Sequence, residues 1–560
     1  MSTTDATDAT AKHAPVMSTA TIEAFAVRWR RWILAAIVIA GTAARLPGLN
    51  GGTLFKDDAW VALSSRVPFG TALHMLVTTP GFTLFERTWI SLGPSATWWA
   101  QLPSLIASVT GIVAVYLLMR TQRFAVWLSL LGAGAIAAGV TGIAFAAHVK
   151  PYPFDLLICT GLVALAQKAL EKPSRRSLSW LIVASTIAPW WSLSLAVVVA
   201  GCWIAVLLGT RRHHGWFWWV VLSGAIPAVS IVLERVVLRH QITGALSNFW
   251  HGYFIDARTP TGLIRSLGAA GWRLFASLSI DRGGMPSISL GVAALAVWGI
   301  VLWLGARRVR VATTIVATAL VASLLHIAPL GTQRTDLYLA PVILLLLAAA
   351  FEGALNILER RFSISLAGWL AATACGLSLL AGTVLMVGIA PDRIRTQPGA
   401  TPDTMKPNLL PAGRAALDET RAPGSVLLVE ESLWEWSYYF IDPVKIIPAP
   451  RSETSFGVVA PNGNVVIPAP VGGAASLHLD NAALSKIARA QRVVTLRPDG
   501  EVSDPLQPTL ARLCFTPHAS HRRGRDIISI YRPTEAALEG TPVVNSAGGS
   551  SSRSTRCARD

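Results

Sequence analysis

The stretch "RWRRWILAAIVIAGTAARLPGLNGGTLFKDDAW", Arg28 to Trp60, holds a basic cluster, a long apolar run and a pair of adjacent aspartates. Basic residues flanking an apolar span hold that flank on the cytoplasmic side, so "RWRR" places Arg28 to Arg31 inside and the first span over about Trp32 to Leu46. Asp57 and Asp58 then emerge on the outside.

The rest of the chain repeats this pattern. Of 560 residues 52% are hydrophobic and only 14% charged, which is more apolar surface than a soluble core of this length uses, and mean hydropathy is +0.50. The fold class expected is an α-helical polytopic membrane protein. A net charge of +17 raises the question of nucleic acid, but the basic residues sit in short clusters between apolar runs, where they mark cytoplasmic loops. Nucleic acid is therefore excluded as a partner.

Windows of about 20 apolar residues pick out further spans near 100–119, 124–148, 154–170, 178–189, 190–209, 215–237, 287–305, 311–329, 336–351 and 364–389. With the first this makes about eleven, the N-terminus inside and the C-terminus outside. The stretch 178–209 reads either as two short spans joined by a turn at "APWW" (Ala188 to Trp191) or as one kinked helix. A turn there puts "RTQR", "QKALEKPSRR", "GTRRHH", "ARRVR" and "LERR" all on the cytoplasmic side.

Around this membrane domain, residues 30–390, the composition divides the chain further. Residues 1–29 read as a disordered cytoplasmic tail without a cleavable signal peptide, 391–412 as a Pro-rich linker and 541–560 as a second disordered tail. Between them, 413–540 carries β-like runs such as "SVLLVEE" and "NVVIP" with an "AALSKIARA" helix pattern, and reads as an extracytoplasmic α/β domain. Cys159, Cys202 and Cys375 lie in apolar spans as packing residues, whereas Cys514 and Cys557 are outside, where a disulfide persists. No metal-ligand spacing occurs, and no cofactor is expected.

The acids are unevenly placed. Asp57, Asp58, Glu86, Asp256 and Asp281 fall in outer loops, and Asp155, Glu234 and Asp336 near the outer ends of spans. Ionised groups near hydrocarbon are costly and tend to be paired or functional, so this gathering points to chemistry at the outer surface. A carboxylate beside a bound hydroxyl acts as a general base, and a neighbouring acid orients the acceptor or tunes its partner. The plainer reading makes Asp57 and Asp58 a helix N-cap and a solvated acid before "AWVALSSR".

Four motifs in order bear on the choice. After "KDDAW" come "HVKPYPFDLL" (His148 to Leu157), "NFWHGYFIDARTP" (Asn248 to Pro260) and "GTQRTDLYLAP" (Gly331 to Pro341). Over roughly residues 30 to 390 this order resembles the glycosyltransferase C superfamily, in its protein mannosyltransferase and aminoarabinose transferase branch. That branch commonly carries Asp-Glu where this chain has Asp57-Asp58, and the C-terminal domain has no counterpart in the resemblance.

The resemblance implies a transferase in the plasma membrane that passes one sugar from a polyprenyl-phosphate donor to an extracytoplasmic acceptor with inversion. Asp57 then matches the base and Asp58 its support. Lys150 and Arg334 are candidates for the donor phosphate, with Tyr152 and Tyr338 orienting it, and Arg45, Arg258 and Arg265 in reserve. The alternative for the cations is interfacial snorkelling. Trp60, His74, His148, Trp250 and His251 are candidate acceptor or sugar contacts, against a background of interfacial tryptophans. Two other classes stay open. One is a lipid or sugar transporter or flippase, although the acids cluster outside and no related halves are visible. The other is a non-catalytic envelope scaffold.

Overall fold

A computed structural model describes residues 19–361 and 410–534 apart from interruptions, the longest being 239–249, 279–295 and 469–484. The expected span 364–389, much of 287–305, most of the linker and the C-terminal tail lie outside the described residues. Among the described residues five helices are long and apolar enough to cross a membrane, at 20–49, 97–121, 152–171, 215–237 and 337–355. Three shorter apolar helices, 126–138, 195–210 and 310–324, accompany them.

In chain order the first half contains α1 (Thr19–Arg45), α2 (Lys56–Ser64), α3 (Phe69–His74), α4 (Pro80–Ser91), α5 (Thr97–Thr121) and α6 (Val126–Ala138). It continues through α7 (Val140–Phe145), α8 (Tyr152–Glu171), α9 (Arg175–Trp191), α10 (Leu195–Thr210) and α11 (His214–Val237). Then come α12 (Pro260–Leu278), α13 (Arg310–Leu324) and α14 (Ala340–Arg361). α5 packs on α6 and α8, α10 on α8 and α13, α1 on α6, and α11 on α9. Helices apolar all round, such as α10 ("LAVVVAGCWIAVLLGT"), are made for burial on every side. At Gly201 of α10 a Cβ would meet the Ile315 Cα of α13 at 2.6 Å, so glycine is what lets these two backbones approach.

Three expectations are corrected. The tail read as disordered to residue 29 is helical from Thr19, because Ala26 is buried in the core and the Glu23 carboxylate accepts the Val126 N–H at 2.8 Å, capping α6. The span read over 124–148 breaks at Gly139 into α6 and α7. That break is held by buried Arg45, whose guanidinium donates to the carbonyls of Gly41 (2.7 Å), Ala137 (2.8 Å) and Ile136 (2.9 Å) and to Ser108 Oγ (2.8 Å). Finally, the turn placed at "APWW" falls at Ser192–Ser194 instead, with Pro189 inside α9.

Beyond α14 the chain forms α15 (Leu410–Glu419), which begins inside the stretch read as linker, and a mixed sheet. Its strands are β1 (Ser425–Val429), β2 (Lys445–Pro448), β3 (Phe456–Val459), β4 (Val465–Pro468), β5 (Arg492–Pro498), β6 (Phe515–Arg523) and β7 (Asp526–Pro533), ordered β2-β3-β4-β1-β5-β7-β6. β1 is parallel to β4 and β5, and the remaining pairs are antiparallel. "SVLLV" and "VVIP" are thus strands, as their β-branched runs predict. Cys514 is disulfide-bonded, while Cys159 and Cys202 are free and buried.

A buried carbonyl that loses its donor costs roughly 1–3 kcal/mol. Arg45→Met strips the donor from three such carbonyls, and is expected to lower the melting temperature of the solubilised protein well below that of Arg28→Met, which changes a residue in the N-terminal half of α1.

Candidate active site

The acid pair opens α2, where carboxylates are favoured by the unpaired N–H groups and dipole of a helix N-terminus. Successive helical residues point about 100° apart, so neighbours cannot share a face. One aspartate must turn inward. It is Asp58, wholly buried, while the Asp57 side chain is 44% exposed.

Both are held by the segment between α7 and α8. His148, itself buried, places Nδ1 2.6 Å from Asp58 Oδ2. Two residues on, Lys150 Nζ donates to the Asp57 carbonyl at 3.2 Å and stands 4.0 Å from Asp57 Oδ2. Ser104 of α5 steadies this segment by donating to the Lys150 carbonyl at 3.3 Å.

Behind the pair lies Glu86 of α4. It is fully buried, and neither carboxyl oxygen has a hydrogen-bond partner among the described residues. Burial first, and the nearby Asp58 second, push it up to about 8. Sequence reasoning counted Glu86 among the outer acids without a role. An aromatic cluster of Phe82, Phe85, Phe154 and Trp191 locks α4 to α8 and α9, with ring centroids 5.1 to 6.4 Å apart. Trp60 is half-buried against the same core.

A second group of residues surrounds the turn after residue 249. Arg334 lies with its guanidinium 4.8 Å from the Trp250 ring centroid, on the loop ahead of α14. That loop turns at Gly331, whose φ of +78° a β-carbon would strain, and is tied by Asp336 accepting the Thr332 N–H and, at 3.1 Å, its hydroxyl. Arg273 of α12, buried, sits 4.7 Å over the Tyr253 ring and donates to the Gly252 carbonyl at 3.5 Å. Gly331 packs against the Arg273 side chain, so the two arginines flank one turn. Arg273 was not singled out from sequence; the signal available was a cation inside the otherwise apolar "AAGWRLF".

The other candidates are placed as follows. His251 is exposed. Tyr152 meets Phe145 edge-on at 4.9 Å, and Tyr338 is buried on a 3-10 turn beside α8. His74 ends α3, its side chain outside the described residues. Of the reserve cations, Arg45 is committed to the α6 carbonyls, and Arg258 pairs with Asp256 at 2.8 Å, holding that carboxyl down to about 2.

This architecture has solved counterparts. No protein-family description and no curated protein sequence matches the chain. Solved structures do, among them the crystal structures of ArnT from Cupriavidus metallidurans in the apo state and bound to undecaprenyl phosphate. They align over 90% of this chain and 98% of theirs, with TM-scores of 0.53 and 0.52 at 12% identity. The fold is that of ArnT. The expected resemblance thus has a counterpart in the fold, and among the described residues five helices are long and apolar enough to cross a membrane.

Because the native state favours protonated Glu86, the unfolded chain ionises first as pH rises from about 4.5 toward about 8. Over that window the unfolded state binds fewer protons, so stability falls with rising pH and levels off above it. Glu86→Gln keeps the size without the charge. Thermal unfolding at pH 5 and pH 9 is expected to differ less in this variant than in the parent.

Proposed function

We propose that the chain transfers a monosaccharide from a polyprenyl-phosphate donor to an extracytoplasmic acceptor, in the plasma membrane, with inversion at the anomeric carbon. The observation that carries this reading is the split acid pair on an ArnT fold: one carboxylate buried as an anchor, the other presented to solvent beside a lysine. One of the ArnT structures holds undecaprenyl phosphate, which supports the donor class.

In this reading Asp57 is the catalytic residue. Its carboxylate accepts the proton of the acceptor hydroxyl as that oxygen forms a bond to the anomeric carbon. The bond from that carbon to the phosphate oxygen breaks on the opposite face, and the polyprenyl phosphate leaves with the electron pair. Charge grows on the phosphate during this step, so cations assist the transition state more than the ground state. Lys150 beside Asp57, and Arg334 and Arg273 around the Trp250–Tyr253 turn, are the groups we assign to it. Asp58 and His148 hold α2 in place rather than touching substrate. The orientation we adopt keeps the N-terminus inside, about eleven spans and the C-terminal domain outside, as the basic loops require.

Two outcomes test this. Asp57→Asn is expected to cut transfer by about 10²- to 10⁴-fold while donor binding persists, because the amide keeps the size but accepts no proton. Asp58→Asn should cost less activity and more stability, and full activity in Asp57→Asn would remove the mechanism. Separately, a cysteine at the exposed Arg489 should react with an impermeant thiol reagent in intact cells. Labelling only after lysis would invert the topology and the site with it.

A further inference from the structure

The helix that carries the acids is too short to stand alone. α2 has nine residues, below the length at which isolated helices persist, and "NGG" precedes it in sequence. Its position must come from what packs on it. Its inward residues Ala59, Val61 and Leu63 are wholly buried in a cluster completed by Leu427 of β1, Val494 of β5 and Ile528 of β7. The apolar cluster that covers α2 thus runs on into the C-terminal sheet.

Polar contacts from one dipeptide flank α2 at both ends. Just ahead of α2, the Leu54 N–H donates to the Tyr439 hydroxyl at 3.0 Å, and the same hydroxyl lies 2.6 Å from Thr97 Oγ1 at the start of α5. Just past α2, Arg66 donates to the Tyr438 carbonyl and lies 5.4 Å over the Tyr438 ring. Tyr438 is fully buried, its ring 5.0 Å from that of Tyr439 and nearly perpendicular to it. Adjacent residues of the C-terminal domain thus grip the chain on either side of Asp57 and Asp58.

We propose that Tyr438 and Tyr439 are positioning residues, a clamp by which the C-terminal domain sets the placement of Asp57. The inference rests on the sugar-transfer reading for its catalytic consequence, but not for its structural content. The Tyr439 hydroxyl accepts one bond from the α2 side and shares a second with Thr97, so it fixes the start of α2 relative to the start of α5. Misplacing a reacting group by about 1 Å costs up to about 10²-fold in rate.

The test uses full-length protein in detergent with two readouts. In Tyr439→Phe, amide hydrogen exchange over residues 54–66 is expected to quicken while β5 and β7 keep their protection, and kcat to fall roughly 10- to 100-fold with donor KM within about twofold. Thr97→Val removes the other half of the same contact. Its loss should be smaller, and the double variant should fall no further than Tyr439→Phe alone, because both act through one hydroxyl. Unchanged exchange over 54–66 in Tyr439→Phe would overturn the clamp, as would fully additive losses in the double variant. Quickened exchange in a protein whose parent transfers no sugar from any polyprenyl-phosphate donor would sustain the clamp and overturn the sugar-transfer reading.

Discussion

The buried bond between Asp58 and His148 is the constraint on which the site depends. A carboxylate removed from water must find a partner or give up its charge, and Asp58 finds a ring nitrogen 2.6 Å away on a segment 90 residues later in the chain. This single contact fixes the rotation of α2 about its axis. With Asp58 turned in, its neighbour is turned out, and Lys150 of the same "HVK" segment meets it there.

Much of this was legible in sequence, for a definite reason. Charges are scarce in apolar chains, so "KDDAW", "HVK" and the "GTQRTD" loop stand out as costs that the fold must offset. Helices α5, α8 and α11 were legible too, because an unbroken apolar run of their length has few other uses. What stayed hidden depends on contacts between distant residues. Nothing near Gly139 announces that Arg45 will supply donors for the carbonyls freed by breaking a span, and without that supply the break would not be tolerated. Likewise Glu23 looks like one more polar residue of a tail until α6 presents its N-terminus. Tyr439 meets Leu54 across 385 positions, and no local pattern encodes such a pairing.

The cations show a common theme that the sequence carried only in part. Arg334 lies on Trp250, Arg273 on Tyr253 and Arg66 on Tyr438, each within 5.4 Å of a ring centroid. An aromatic ring engages the flat face of a guanidinium, whereas the N–H donors point outward around its edge. Holding an arginine by its face therefore restricts its orientation, and Arg273 and Arg66 also donate from their edges to the Gly252 and Tyr438 carbonyls. Lysine has no such face, and Lys150 is held instead by its ammonium against the α2 backbone. The two kinds of cation are thus held differently, planar ones around the 250–253 turn and a point charge beside Asp57.

Why should the C-terminal domain reach the segment that carries the acid pair at all? The loop from residue 47 to 99 carries the acids on short helices, and each is below the length that holds its own shape. On one side α4 rests on aromatic contacts to α8 and α9. On the other side the apolar residues of α2 need cover, while its first turn leaves Asp57 open to solvent. The cluster that covers α2 extends to Leu427, Val494 and Ile528 of the sheet, and the tyrosine pair supplies polar contacts that apolar packing alone cannot aim. The Asp58–His148 bond fixes which of the two adjacent carboxylates turns outward, and the hydrogen bonds to the two flanks of α2 set where that outward carboxylate stands.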